Sequence, residues 1–99
     1  MTEQARENLD RAAEYRPNLN RVHDLKVWPE FYGPLVRGEK TFELRKNDRD
    51  YRVGDKLRLQ EFDPAGGVYT GSVAVFEVTY VLENTNYLQP GVVALGIKR

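Results

Sequence analysis

The chain has 99 residues, of which 40% are hydrophobic and 30% charged, and its formal net charge is zero. This balance predicts one globular domain with a modest core and excludes a disordered or strongly basic chain. With no cysteine and one histidine, disulfides, thiolate metal sites and a histidine-rich metal site are excluded, and we expect no cofactor. The sequence has no apolar run of about 20 residues and no signal-peptide pattern, so a cytoplasmic protein without membrane association is expected.

The first 20 residues are predicted to be an N-terminal extension, helical or flexible. Apolar residues recur at helical spacing over residues 2–15, but their stripe is thin. Pro17 ends this helix because proline lacks a backbone donor and disfavours helix in the residue before it. The domain itself is expected to span residues 21–99.

A strand and a helix are predicted next. Residues 23–27 alternate between apolar and polar side chains, as a half-buried strand does. A helix begins near Pro29, because proline suits the first helical turn, and Gly38 lies where a C-terminal glycine is expected. Pro34 is expected to shorten or kink this helix.

Four further strands are predicted at residues 41–46, 56–62, 72–82 and 92–97, with turns rich in glycine, proline and aspartate between several of them. Leu57 and Leu59 are predicted to face inward. One face of the strand at 72–82 carries Ala74, Phe76, Val78, Tyr80 and Leu82. An α+β chain with one or two helices and about five short strands favours a small barrel or a strongly curved sheet, since closure removes exposed strand edges.

The segment from residue 37 to residue 58 carries eight basic and five acidic residues, so it is locally positive in a neutral chain. The strand at 41–46 lies within it. Because alternate side chains of a strand point to opposite faces, Phe42 and Leu44 are predicted to face the core. The opposite face, predicted to meet water or a ligand, carries Thr41, Glu43 and Arg45.

Residues 38–45, GEKTFELR, resemble the Gly-x-Lys-x-x-Glu-x-Arg signature of ASCH domains, which belong to the PUA-like superfamily. Residues 23–31 and 46–55 resemble the DUF3850 branch, found in bacteria and phages. The resemblance covers about residues 23–99. It implies a small PUA-like β-barrel of about five strands with one or two flanking helices, and a cleft between barrel and helix that carries the signature residues.

The resemblance also implies that the cleft binds single-stranded RNA or a nucleotide. Lys40 would pair with a phosphate, Arg45 would offer a planar fork to a phosphate or a base edge, and Glu43 would accept a hydrogen bond from a base amine. Arg49 is a further candidate on the charged rim. Tyr32 is left open between core packing and stacking on a base, whereas Trp28 is assigned to the core. The structural alternative is that Glu43 and Arg45 only form an ion pair.

Two other functions stay open. Some small bacterial ASCH members are amidohydrolases that act on N4-acylated cytidine, and Lys40 matches their signature lysine. Those enzymes use a threonine where this chain has Glu43, so Lys40 and Glu43 are only candidate catalytic residues, and no metal ligand set is expected. The remaining hypothesis is a phage accessory factor that binds a protein partner, with residues 1–20 as an added surface.

Overall fold

A computed structural model describes residues 21–99, so the predicted N-terminal extension lies outside the described residues. Within this range the elements follow in the order β1 Val22–Val27, α1 Pro29–Val36, β2 Phe42–Lys46, β3 Lys56–Asp63, β4 Val68–Leu82 and β5 Val92–Lys98. Every element predicted for this part of the chain is present, and β4 begins four residues earlier than expected. In residues 21–99 no helix has the length and apolar character needed to cross a bilayer.

The five strands of the described region form one mixed sheet in the order β1-β3-β4-β5-β2. β1 is parallel to β3, and the other neighbouring pairs are antiparallel. The sheet curves into a half-barrel, which confirms a small α+β, barrel-like fold. β1 and β2 are its two edge strands, and we call the open side between them the seam.

Two arginine side chains bridge the seam. Arg45 Nη2 donates to the backbone carbonyl of Lys26 at 2.7 Å, and Arg49 Nη1 donates to the carbonyl of Asp24 at 2.9 Å. These carbonyls lie two residues apart on β1 and therefore face the same edge. The guanidinium groups thus satisfy acceptors that an open sheet edge leaves unpaired.

The hydrophobic core fills the inner side of the half-barrel. Leu57, Leu59 and Leu95 have no measurable exposure, which confirms the inward prediction for the two leucines of β3. Helix α1 adds Leu35, which is also buried. Replacing any of these leucines by alanine would cost about 2 to 5 kcal/mol, since each would leave a cavity.

β2 has the opposite orientation to the one predicted from its sequence. Phe42 and Leu44 are 48% and 54% exposed, whereas Glu43 is only 5% exposed. The cause is the pairing with β5, which sets Glu43 directly opposite the buried Leu95, so that both side chains point inward. The charged face of β2 therefore lines the interior of the half-barrel, and its apolar face lies outside.

A second correction concerns the end of β4. The register shifts between Val78 and Tyr80, where a β-bulge interrupts the pairing with β5. Because a bulge adds one residue to one strand only, the side chains beyond it exchange faces. Val81 consequently enters the core, and Tyr80 and Leu82, which the alternation placed on the same face as the buried Ala74, Phe76 and Val78, are exposed.

Helix α1 ends as the sequence predicted. The N–H of Glu39 donates to the carbonyl of Pro34 at 2.9 Å, and the N–H of Gly38 donates to the carbonyl of Leu35 at 3.1 Å. These are the two hydrogen bonds of a Schellman motif, in which the residue after the C-cap is left-handed. Gly38 occupies that position with φ of +78°. The motif turns the chain sharply into β2.

Gly38→Ala is expected to lower the free energy of unfolding by about 1 kcal/mol, because a Cβ disfavours the left-handed conformation. Gly33→Ala is the matched control, since Gly33 lies inside α1 with no positive φ. At this position a Cβ would meet the end of the Arg37 side chain, 3.0 Å away. The gain in helix propensity is offset because a Cβ is disfavoured in a helical residue that precedes proline, here Pro34, so the net change in stability should be smaller than at Gly38. Urea unfolding of both variants checks this, and an equal or larger loss in Gly33→Ala would contradict it.

Candidate functional site

A cleft of about 520 Å³ opens at the seam. One wall comes from the end of β1 and the start of α1, and the other comes from β2 and the residues just before it. Because β1 and β2 do not pair, the space between them stays open to solvent. Its lining includes Val27, Trp28, Phe31, Lys40, Glu43 and Arg45.

Three charged side chains of the sequence signature meet in this cleft, and we call them the ionic trio. Lys40 Nζ donates to Glu43 Oε1 at 2.7 Å, and Arg45 Nε donates to Glu43 Oε2 at 3.0 Å. The Glu43 carboxylate is almost fully buried, whereas its two partners are part-buried. The predicted ion pair of Glu43 and Arg45 is therefore present, and Lys40 makes the local charge positive.

Each member of the ionic trio keeps hydrogen-bonding capacity for a further partner. A carboxylate accepts about four hydrogen bonds, an ammonium donates three and a guanidinium five. Glu43 uses one acceptor position on each oxygen here, and Arg45 also donates to the Lys26 carbonyl. A ligand can thus add contacts to the trio without breaking it.

Aromatic rings surround the lysine of the trio. Lys40 Nζ lies 5.3 Å from the ring centroid of Phe31 and 5.1 Å from that of Phe42, which is within cation–π range. Trp28, which the sequence analysis assigned to the core, is half exposed and lines the cleft. Tyr32 instead packs against the core and is not part of the cleft lining. The assignment of Trp28 to the core is therefore wrong, and of the two alternatives left open for Tyr32 the structure shows core packing, because Tyr32 and the buried Leu35 lie three residues apart on one face of α1.

Arg49 lies beside the cleft rather than in it. Its guanidinium bridges the seam to Asp24 and lines a second depression of about 330 Å³ with Gln60 and Tyr69. Arg45 lines both depressions. Arg49 therefore belongs to the structural closure of the seam. The structure places the five predicted site residues in three locations: Lys40, Glu43 and Arg45 in the cleft, Arg49 next to it and Tyr32 on the core.

A second buried ionic cluster lies at the far end of β1, and it was not predicted because Asp55 follows a glycine in a sequence typical of a turn. Asp55 is fully buried and accepts two hydrogen bonds from Arg21, at 2.7 and 2.8 Å, and one from the backbone N–H of Arg52 at 3.0 Å. His23 Nε2 lies 2.8 Å from the same carboxylate, and its ring contacts Tyr51 edge to face. The cluster fastens the start of β1 to the loop before β3.

The pKa of Asp55 reflects two opposed effects. Burial by itself raises the pKa, but the hydrogen bonds from Arg21, His23 and the Arg52 backbone outweigh it, and the pKa lies below its usual range. Burial also raises the pKa of the neighbouring Tyr51 phenol. The Asp55 carboxylate is therefore an ionised structural group rather than a proton donor.

The depressed pKa of Asp55 predicts a specific pH dependence of stability. The stabilising contribution is fully present above the unfolded-state pKa of about 3.9 and is lost as the pH falls through the lower folded-state pKa. We expect the difference in free energy of unfolding between the wild type and Asp55→Asn to shrink as the pH falls below about 4. Glu39 and Glu77, whose pKa values are also lowered, remain in both proteins and cancel. A difference that grows on acidification would contradict this prediction.

Across residues 21–99 no three His, Asp or Glu side chains are grouped so that they could hold a metal ion. The chemistry available in the cleft is accordingly that of a carboxylate, two cations and aromatic rings. These groups can supply hydrogen bonds, charge and stacking surfaces to a ligand.

Residues 22–97 match the family model described as Domain of unknown function (DUF3850). The chain belongs to the DUF3850 family. This confirms the branch indicated by the sequence resemblance, and the match includes all five strands, α1 and the ionic trio.

This DUF3850 chain is also similar to a protein of Escherichia phage P2, described as an uncharacterized 12.9 kDa protein in the GpA 3′ region. The two sequences are 32% identical over 71 residues, which make up 72% of this chain and 63% of the phage protein. The chain thus spans less than two thirds of the length of that relative.

Proposed function

We propose that this DUF3850 protein is an ASCH-type module of the PUA-like superfamily and binds RNA or a nucleotide in the seam cleft. The observation that carries the proposal is the orientation of β2, whose charged face points into the half-barrel. It sets a buried carboxylate between two cations in an open cleft with aromatic walls. Burying such a group costs stability, and a ligand that uses it gives a reason for the arrangement.

In the proposed binding mode, the members of the ionic trio contact different parts of the ligand. Glu43 accepts a hydrogen bond from the exocyclic amine of a base, as carboxylates do with the N4 amine of cytosine. Lys40 and Arg45 direct their unused donors at a phosphate. The exposed ring of Trp28 stacks on the base, a contact worth about 1 to 3 kcal/mol in single-strand binding.

Amide hydrolysis is the second candidate function, and the 2.7 Å contact between Lys40 and Glu43 favours it. In this reaction Lys40 polarises the amide carbonyl of N4-acetylcytidine, and Glu43 directs a water molecule at its carbon. The amide C–N bond breaks, the cytidine amine leaves with a proton, and acetate is released. Both functions require the same cleft and the same lysine.

NMR titration of backbone amides tests the proposal, with cytidine and guanosine monophosphates, N4-acetylcytidine and a short single-stranded RNA as probes. We expect shifts clustered on Lys40, Glu43 and Arg45 that disappear in Lys40→Ala. Lys56→Ala is the matched control, because Lys56 also pairs with a glutamate, at 2.9 Å, but lies outside the cleft.

Two results would change the assignment. Turnover of N4-acetylcytidine by the wild type that is abolished in Lys40→Ala would replace binding with hydrolysis as the function. Absence of shifts with every probe would refute a nucleotide site in the cleft, and the protein-partner hypothesis would then stand in its place.

A further inference from the structure

We propose that the outer face of β4, β5 and β2 continues the cleft as a stacking platform for single-stranded nucleic acid. The protein would then bind an oligonucleotide rather than an isolated nucleotide. This inference rests on the proposed function of the cleft and extends it to a surface outside the half-barrel.

Two cross-strand rows of side chains define the platform. In the first row Tyr80 of β4 and Phe42 of β2 flank Gly96 of β5. In the second row the flanking residues are Leu82 and Leu44, with Ala94 between them. Residues directly opposite each other on neighbouring strands share a face, and here the four flanking side chains are all exposed.

The platform arises from the two departures from the predicted orientation. The β5 pairing turns Phe42 and Leu44 outward, and the bulge in β4 turns Tyr80 and Leu82 to the same side. β2 and β4 lie on the two sides of β5. If either of them had its predicted orientation, exposed apolar side chains would flank β5 on one side only. A contiguous apolar surface on a small domain indicates a binding function more strongly than scattered exposed side chains do.

Gly96 leaves a flat strip between the two aromatic side chains. A Cβ at this position would lie 2.9 Å from Thr79 Oγ1 and 3.4 Å from the Cβ of Tyr80, so a larger residue does not fit. The rings of Tyr80 and Phe42 stand two strand spacings apart, about 10 Å. A planar base can lie over the glycine against either ring, in the way that aromatic residues on sheet surfaces stack on unpaired bases.

The platform is continuous with the cleft through Phe42 and Leu44, which line the cleft and also belong to the rows. One face of the Phe42 ring is directed at Lys40 Nζ, 5.1 Å away. A strand that leaves the ionic trio therefore passes over the edge of β2 directly onto the first row.

Lysines at both ends of the rows provide contacts for phosphates. Lys46 follows Leu44 on the same face of β2, and Lys98 follows Gly96 on the same face of β5. Lys98 lies 3.6 Å from Glu77, a loose contact that leaves donors unused. The rows themselves carry no charge, which suits stacked bases between flanking phosphate contacts.

The size of the platform favours this occupant over a second copy of the chain. The backbone of three strands and two rows spans about 10 Å by 7 Å, and the four half-exposed side chains above it present roughly a few hundred Å² of surface. A stable protein–protein interface needs about 800 Å² from each partner. Stacking a few bases requires no such area, because each base contributes separately.

The test compares the affinities of two probes, cytidine monophosphate and a single-stranded RNA octamer of cytidylate, by fluorescence competition and calorimetry. We expect the octamer to bind the wild type more tightly than the mononucleotide. Tyr80→Thr should weaken octamer binding roughly 5-fold or more and leave the mononucleotide affinity unchanged. Tyr87→Thr is the matched control, since Tyr87 is exposed in the loop between β4 and β5, belongs to neither row and should change neither affinity.

Three outcomes would overturn the inference. Equal octamer affinity in Tyr80→Thr and the wild type, with the mononucleotide still bound, would leave the cleft function standing and remove the platform. Concentration-dependent self-association of the wild type that is lost in Tyr80→Thr would make this face a contact between copies of the chain. Binding of neither probe would refute the cleft function itself, a result distinct from the first two.

Discussion

Asp55→Asn is expected to lower the free energy of unfolding by about 3 to 5 kcal/mol, the range for removing one partner of a buried ion pair. The asparagine amide would face the guanidinium of Arg21 and leave this part-buried cation without its counter-charge. It would also weaken the hydrogen bond from the Arg52 backbone. Since small domains are stable by about 5 to 15 kcal/mol, this single change removes a large share of the total.

Asp24→Asn is the matched control for Asp55→Asn. Asp24 also pairs with an arginine, Arg58, at 2.8 Å, but both side chains are at least half exposed. A surface pair of this kind contributes about 0 to 1 kcal/mol. In urea unfolding, the loss in free energy of unfolding should therefore be several-fold larger for Asp55→Asn than for Asp24→Asn. Equal losses would show that burial of Asp55 does not determine its contribution to stability.

Glu43→Gln is expected to lower the free energy of unfolding by about 2 kcal/mol and to abolish ligand binding in the cleft. The amide cannot satisfy Lys40 and Arg45 together as the carboxylate does. The loss is smaller than at Asp55 because Glu43 accepts two hydrogen bonds, whereas Asp55 accepts three and also contacts His23. Thermal and urea unfolding measure the first effect, and NMR titration measures the second.

Glu39→Gln provides the comparison for Glu43→Gln. Glu39 pairs with Arg37 at 2.9 Å, and both side chains are mostly exposed, so this substitution should change stability by less than about 0.5 kcal/mol. If Glu43→Gln proved equally mild, Glu43 would have to lie at the surface, as the sequence pattern predicted.

The sequence predicted the elements of this fold because each is specified locally. Glycine and proline mark the ends of α1, and the alternation in β3 places its leucines correctly. The orientation of β2 could not be obtained in this way. Its five residues alternate equally well in either orientation, and the choice is made by pairing with β5, about 50 residues further along the chain.

The remaining errors have the same physical origin. The bulge in β4 is a property of its pairing with β5, and no residue type in the strand predicts it. Asp55 looks like a turn residue because Arg21, the partner that makes it a buried ion pair, lies 34 residues away. The three members of the ionic trio, in contrast, could be grouped from the sequence because they lie within six residues of one another, and the structure brings their side chains into contact.

Both proposals depend on the orientation of β2, and thiol labelling measures it most directly. The chain has no cysteine, so single cysteines at positions 42, 44, 87 and 95 report the accessibility of each position without background. Tyr87→Cys is the exposed reference and Leu95→Cys the buried one. We expect Phe42→Cys and Leu44→Cys to react at rates within about ten-fold of Tyr87→Cys, since an exposed thiol reacts freely. If both cysteines were as protected as Leu95→Cys, the apolar face of β2 would have to face the core. That result would refute the buried trio, the cleft and the platform together.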